Sequence, residues 1–200
     1  MRTAHGYAFA VADGVGALSG SSAASKAAVE AVKQWSANRN GSLLTEVDDL
    51  YEEIDKSVRE ALAHEDSGAT TLACLLAEES GYLLTAIGDS EILAVSSSGE
   101  TVLLNELDHL PSRPNVLLAW IDGKTELAPH VAQLNTLPDR LCLLTDGVTK
   151  LLEYERIGKL VLEAGVKGAA VALVDAAREA GAQDDLTAVV VSADLFGPRT

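Results

Sequence analysis

The chain has 200 residues, which is the length of one domain or at most two small ones. Apolar residues make up 48% and charged residues 22%, so disordered, collagen-like and coiled-coil classes are excluded. The net charge of −15 would repel a phosphate backbone or an anionic membrane surface, so we expect no nucleic acid and no membrane among its partners, and a cation suits it better.

The chain begins with a short apolar run followed by two amphipathic segments. Residues 7–12 (YAFAVA) predict a buried strand that stops at the turn formed by Asp13 and Gly14. From Ser19 onward, apolar residues recur at three- and four-residue spacing, which predicts a helix. The same spacing, with acidic residues in between, predicts a second helix at 43–64.

After residue 68 the pattern changes to short apolar runs separated by glycines and polar turns. These runs predict mostly antiparallel strands, at 69–77, 82–87, 92–96, 101–104, 116–121, 130–134 and 140–145. Helical spacing returns at about 153–164 and 168–180, and a last strand is predicted at 186–193. This order predicts an α+β fold of stacked sheets with helices outside, and we expect a single domain over 1–200 because no linker or internal repeat interrupts it.

The two cysteines and the N-terminal segment indicate in which cellular compartment the protein is expected. Cys74 and Cys142 each lie inside an apolar run, where a thiol packs as a small hydrophobic group. The N-terminal segment lacks the features of a signal peptide, and no run approaches the ~18 apolar residues of a membrane span. We therefore expect a cytoplasmic protein with two free core cysteines.

Several aspartates occur where an apolar strand meets its loop. Asp13 follows FAVA, Asp89 follows TAIG and Asp146 follows LCLLT, while the pair Asp184 and Asp185 directly precedes the last strand. A single Asp-Gly is ordinarily only a turn. If the sheets bring these strand ends together, the carboxylates repel one another. A hard divalent cation with oxygen ligands relieves such repulsion most simply.

Other catalytic chemistries have no motif in the sequence. We find no P-loop, no glycine-rich dinucleotide loop, no zinc-protease helix and no serine nucleophile elbow. The four histidines are never paired at ligand spacing, which argues against zinc. Carboxylate and metal chemistry remains, and the alternative is an acidic globular domain whose aspartates only form turns.

Six blocks of the chain resemble the metal-dependent serine/threonine protein phosphatases of the type 2C class, in their compact bacterial form. They stand in the family's order as FAVADGVG (9–16), SGATT (67–71), IGDSEI (87–92), LDH (107–109), LLTDGV (143–148) and DDLTAVVV (184–191). The resemblance implies a four-layer α-β-β-α sandwich with a binuclear Mg²⁺ or Mn²⁺ site in a cleft between the sheets. It also implies hydrolysis of phosphoserine and phosphothreonine in a phosphorylated protein substrate, without a covalent intermediate.

The resemblance further implies a role for individual residues. Asp13 would bridge two metal ions, and the carbonyl of Gly14 would help to hold the second ion. Asp146 and Asp184 would bind the first ion, so these two residues and Asp13 are the predicted catalytic residues. Asp108 matches a position that can bind a further, weaker metal ion in bacterial members.

The chain also departs from the family's pattern. Family members carry, ahead of the Asp13 block, a strand with an arginine that binds the substrate phosphate and an acid of the second metal site. None of the twelve residues before Asp13 is acidic, so we expect a weakened second metal site and weakened phosphate binding. Glu91 and Asp185 replace an arginine and an asparagine of the family and add negative charge near the cleft, and the segment 108–120 is short for the family's flap.

Two further expectations follow from this resemblance. Asp89, in the IGDSEI block, is expected to hold loops by local hydrogen bonds rather than to bind metal. The departures also keep a second hypothesis open, in which the fold is a catalytically inactive, phosphatase-like binding or regulatory module.

Overall fold

The structure is a computed structural model that describes residues 6–16, 18–38, 42 and 45–196. Its helices and strands, in chain order, are β1 (Gly6–Val11), α1 (Ser21–Asn38), α2 (Val47–Ala61), β2 (Leu72–Glu78), β3 (Gly81–Ile87), β4 (Glu91–Val95), β5 (Thr101–Leu103), β6 (His109–Leu110), β7 (Arg113–Leu117), β8 (His130–Leu134), β9 (Arg140–Leu144), α3 (Asp146–Thr149), α4 (Tyr154–Glu179) and β10 (Ala188–Ser192). A short 3₁₀ turn, Ala193–Phe196, follows β10.

The first sheet has the strand order β1-β2-β3-β8, and all of its neighbouring strands are antiparallel. Strand β2 lies near its centre and is apolar on both faces. Leu72, Cys74 and Leu76 pack with α1 and α2, whereas Ala73 and Leu75 lie in the core between the two sheets. Because successive side chains of a strand point to opposite faces, a strand covered on both sides is apolar without interruption.

The second sheet has the order β10-β9-β4-β5 and is also antiparallel. Leu93 and Cys142 pack with α4, whereas Leu141 and Leu143 point toward the first sheet. The layers are therefore α1 with α2, the first sheet, the second sheet and α4. This arrangement confirms the predicted α-β-β-α sandwich, and the buried Cys74 and Cys142 are both free thiols.

The predicted strand at 116–121 is the main error among the predicted elements. Strand β7 covers Arg113–Leu117 and forms a two-stranded hairpin with β6, and beyond it Ile121 forms an isolated bridge to Thr70. The apolar run contains both a residue that faces solvent and one in the core, since Leu118 is 57% exposed and Ile121 is fully buried. The hydrophobic character of residues 116–121 is therefore not enough to predict one continuous strand.

The helices differ from prediction at their ends and at one break. Helix α2 begins at Val47, while residues 43 and 44 of the predicted helix lie outside the described residues. The two predicted helices at 153–164 and 168–180 run together as α4 and meet at Gly165, whose backbone has φ 63° and ψ 170°. Helix α3 was not predicted. Among the described residues, no helix has the length and apolar character needed to cross a membrane.

Candidate active site

Asp13 follows β1, and two threonines just before β2 hold its backbone. The Thr71 N–H donates to the Asp13 carbonyl (2.8 Å), and the Asp13 N–H donates to Thr71 Oγ1 (3.1 Å). The Thr70 hydroxyl donates to the same carbonyl (2.8 Å), and Thr71 Oγ1 shares a hydrogen bond with Ser90 Oγ (2.8 Å). The SGATT block thus fixes the position at which the Asp13 side chain enters the site.

Two glycines allow close contacts around this arrangement. A Cβ on Gly14 would lie 2.9 Å from the Ser21 carbonyl oxygen, at the start of α1. Gly88 has φ +99°, and a Cβ there would lie 2.6 Å from Thr71 Cγ2. A side chain at either position would therefore push apart elements that frame Asp13.

Asp184 lies beside Asp146 because the loop before β10 packs on the turn that begins α3. A Cβ on Gly147 would lie 2.4 Å from the Asp185 carbonyl oxygen and 3.4 Å from Asp184 Cβ. The Thr145 N–H donates to the Thr187 carbonyl and the Thr187 N–H donates to Thr145 Oγ1, both at 3.1 Å. Paired strands β9 and β10 therefore deliver both aspartates to one place.

The carboxylates of this cluster act on one another. The pKa of Asp13 is raised from 3.8 to about 8, chiefly by burial. The adjoining carboxyl group of Asp146 and the negative charges of Asp146 and Asp184 raise this pKa in the same direction, and the charge of Asp89 adds to them. The structure thus brings together the three predicted catalytic aspartates.

Asp89 is buried close to the cluster, and a hydrogen bond with its own backbone also acts on its carboxylate, so its expected loop-holding role stays a prediction. It is 8% exposed, and its pKa is raised to about 6 by burial and then by the charge of Asp146. Lys150 opposes this shift. The signal was present in the sequence, because Asp89 follows an apolar strand in the same way as Asp13.

Asp146 is short of positive charge. Its Oδ2 atom forms an ion pair with Lys150, one helical turn further along the chain. Its Oδ1 atom is buried, and no hydrogen-bond partner reaches it within the described residues. A buried carboxylate oxygen without a partner is costly, since it has lost its hydration and gained nothing in return.

These side chains fit a hard divalent cation. They offer carboxylate oxygens, they repel one another, and one buried oxygen has no partner. Among the described residues, no group of three or more His, Cys, Asp or Glu side chains already has the spacing of metal ligands. The present arrangement is therefore a set of suitable donors and not a finished coordination shell.

Asp108 lies in a different environment. His130 Nε2 is 2.8 Å from Asp108 Oδ1, and the Gly88 N–H donates to Asp108 Oδ2 at 2.9 Å. His130 Nδ1 also lies 3.6 Å from Glu106 Oε2. Both oxygens of Asp108 are thus engaged by other groups, one of them by the residue that precedes Asp89, and its role as a ligand of a further cation stays a prediction.

Glu91 adds a further buried acid near Asp146. Burial raises its pKa, while hydrogen bonds from Tyr154 and Thr149 oppose that shift, and the charge of Asp146 contributes to raising it. The Tyr154 hydroxyl donates to Glu91 Oε2 at 2.7 Å. Asp184 and Asp185, by contrast, are both exposed.

We compared the chain with known protein families and with curated proteins. The sequence profile of the family described as Protein phosphatase 2C matches residues 1–190. No curated protein matches the sequence.

Many solved structures share the fold. The serine/threonine phosphatase PstP of Mycobacterium tuberculosis has a TM-score of 0.81 at 20% identity, with 96% of this chain and 90% of that chain covered. The PstP catalytic domain in complex with two manganese ions has a TM-score of 0.82 at 21% identity, with the same coverage. The serine/threonine phosphatase of S. agalactiae also has a TM-score of 0.82 at 21% identity, again covering 96% and 90%. With the profile match over nearly its whole length, the chain belongs to the protein phosphatase 2C family.

Proposed function

We propose that the protein is a metal-dependent serine/threonine phosphatase that hydrolyses phosphoserine and phosphothreonine in cytoplasmic phosphoproteins, with Mn²⁺ or Mg²⁺ as cofactor. The observation that carries this proposal is the convergence of Asp13, Asp146 and Asp184 at the ends of strands from both sheets. Membership of the protein phosphatase 2C family supports it, as does the match in fold to a manganese-bound phosphatase domain.

Asp13, Asp146 and Asp184 would hold the cations, with the Gly14 carbonyl as a further oxygen ligand. When bound, such cations supply positive charge for the phosphoryl oxygens and acidify a water molecule. The chain itself supplies position, because its backbone hydrogen bonds fix where each aspartate enters the site. Asp108 stays a proposed ligand of a further, weaker cation.

The two cysteines support a mechanism without a thiol nucleophile. Burial raises the pKa of Cys74 to about 12 and that of Cys142 to about 12. A thiol is nucleophilic only as a thiolate, and neither residue would ionise at neutral pH. Both side chains also lie in the cores on the helix-facing sides of the sheets.

Phosphate release from a phosphothreonine peptide tests the proposal. We expect turnover with Mn²⁺, none in EDTA, and a loss of at least about 100-fold in Asp13→Asn, since removing one electrostatic element of a site costs 10²–10³ in rate. Asp175→Asn is the matched control, because Asp175 is an exposed aspartate on α4. Full turnover in EDTA would contradict metal dependence, and Mn²⁺ binding without turnover would favour the inactive binding module.

A further inference from the structure

Lys150 is placed to act on the carboxylate cluster through its charge. It stands four residues after Asp146, and the helical turn of α3 puts its ammonium on Asp146 Oδ2. The Asp146 side chain is 12% exposed and that of Lys150 is 40% exposed. The ammonium therefore reaches into the cluster from a side chain that keeps contact with solvent.

The charge of Lys150 acts on more than one aspartate. Burial acts to lower the pKa of Lys150, but the hydrogen bond to Asp146 and the charges of Asp146, Asp89 and Asp184 outweigh it, so the pKa is raised. Reciprocally, Lys150 lowers the pKa of Asp89. One lysine thus offsets part of the repulsion in a group of acids.

We propose that Lys150 is a tethered counter-ion that competes with the divalent cation for Asp146, so that it lowers metal affinity while it stabilises the protein without metal. This inference rests on the proposed function, since it concerns the regulation of the same site. An ammonium and a divalent cation cannot both take Asp146 Oδ2 at full strength, because they repel each other and need the same electron pairs.

The tether makes the competition effective. Because Lys150 follows Asp146 by one helical turn, its ammonium stays within reach of the carboxylate and competes without any free ion from solution. The partly exposed side chain can swing into solvent when a divalent cation takes the oxygen.

Isothermal titration of Mn²⁺ into three variants tests the inference. Lys150→Met keeps the unbranched apolar stem of the side chain and removes its charged end, so we expect about three- to tenfold tighter Mn²⁺ binding, the effect of one partly buried ion pair. Lys150→Arg should bind Mn²⁺ within about twofold of the parent, since the charge is kept. Lys159→Met is the matched control, because Lys159 also pairs with an acid four residues away, Glu163, but in an exposed position.

Thermal unfolding in EDTA tests whether Lys150 stabilises the protein without metal. Lys150→Met should melt at a lower temperature than the parent without metal, because the repulsion in the cluster is then unopposed. A folded Lys150→Met variant that binds Mn²⁺ no more tightly than the parent would overturn the inference. Circular dichroism establishes that the variant is folded.

A measurement on the unaltered chain covers the case in which Lys150→Met does not fold. Reductive methylation of lysine amines, read by peptide mass spectrometry, should modify Lys150 faster in saturating Mg²⁺ than in EDTA, because the ammonium is displaced from Asp146. Lys159 is the internal reference and should be methylated at the same rate in Mg²⁺ and in EDTA. Equal rates for Lys150 in both conditions would overturn the inference.

The outcomes separate this inference from the proposed function. Tighter Mn²⁺ binding by Lys150→Met together with no phosphopeptide hydrolysis by the parent would support the inference and contradict the phosphatase proposal. Normal Mn²⁺ binding and hydrolysis that do not respond to Lys150→Met would overturn the inference alone. Absence of Mn²⁺ binding in the parent and in every variant would overturn both.

Discussion

Two aspartates near the Gly88–Asp89 turn, Asp108 and Asp146, have different hydrogen-bonding surroundings. Asp108 receives the Gly88 N–H on one oxygen and His130 on the other. Asp146 has Lys150 on one oxygen, and within the described residues the other oxygen is buried without a partner. A carboxylate with both oxygens engaged is stable as it is, whereas one with an unmatched buried oxygen is raised in free energy until a cation or proton reaches it.

The contrast teaches that acidity along a sequence does not by itself indicate a metal site. The chain has 30 acidic residues, and most of them lie on the surface or in satisfied pairs. What distinguishes the candidate site is that burial and the repulsion of neighbouring acids act together on Asp13 and Asp89, beside the buried Asp146. Variants that treat Asp146 and Asp108 alike therefore test whether the distinction is real.

The largest expected effect is on Mn²⁺ affinity. Asp146→Asn should weaken binding of the tightest Mn²⁺ ion by at least about 100-fold, since loss of supporting contacts alone costs 10–100-fold at metal sites. Asp108→Asn should change this affinity by less than about threefold, because its oxygens are already engaged. Isothermal titration measures both. Equal losses in the two variants would remove the distinction between the two aspartates.

Next in size is the stabilisation of the fold by metal. At a Mn²⁺ concentration 100-fold above the dissociation constant, a native-state site contributes about 2.7 kcal/mol. For a chain of this length that corresponds to roughly 5–10 °C in Tm. Melting curves in Mn²⁺ and in EDTA should separate by this amount for the parent and for Asp175→Asn, but not for Asp146→Asn. Superimposed curves for the parent at saturating Mn²⁺ would count against a site formed by the native state.

A third effect is a loss of stability with rising pH in EDTA. The pKa of Asp13 is raised from 3.8 to about 8, chiefly by burial, so its contribution to the free energy of unfolding is fully present below pH 3.8 and is lost as pH rises through about 8. Asp89, with its pKa raised to about 6 chiefly by burial, acts in the same direction.

Differential scanning calorimetry at pH 5 and pH 8 measures this dependence. Asp13→Asn should flatten it and raise Tm at pH 8 by about 2–4 °C. The effect on Tm has this modest size because the side chain of Asp13 keeps contact with solvent, which screens the repulsion. A parent protein that melts at a higher temperature at pH 8 than at pH 5 would contradict the assignment.

The smallest expected effect is a loss of stability in Asp108→Asn, opposite in sign to the gain expected for Asp13→Asn. Asp108→Asn should lower the free energy of unfolding in EDTA by about 1 kcal/mol, because it replaces charge-assisted hydrogen bonds by neutral ones. Asp13→Asn should raise the same quantity at neutral pH. Urea unfolding of both variants, with Asp175→Asn as the control, measures the two signs. Stabilisation by Asp108→Asn would show that its carboxylate is also under repulsion.

The layered α+β fold could be predicted from the order of local elements, whereas the choice of Asp13, Asp146 and Asp184 came from the resemblance to the phosphatase family. Asp13 and Asp146 each stand directly after an apolar strand, and these two ends meet because β1 and β9 lie in contact where the two sheets stack. The partner of Asp108 could not be predicted in this way. His130 reaches it because β8 pairs with β3, with His130 opposite Ala86, and that register depends on the whole sheet.

Two other features were missed for physical reasons. The burial of Asp89 beside the cluster could not be predicted, because hydrogen-bonding turns and buried clusters begin with the same residue type, and only the packed structure separates them. The contact of Lys150 with Asp146 had a local signal in its four-residue spacing, but the short α3 was not predicted. The apolar run 116–121 misled because hydrophobicity does not reveal which of its residues face solvent.

The distance along the chain between the site's parts determines when the site can form. Asp13 is fixed by Thr71, which is 58 residues away, and Asp184 follows about 170 residues after Asp13. Contacts of such long sequence separation close late in folding, because the loop entropy must be overcome before they form. A chain still under synthesis therefore lacks part of the cluster until residue 184 has left the ribosome and the last strand has paired. The complete set of aspartates is in this sense assembled at the end of biosynthesis, together with the complete tertiary structure.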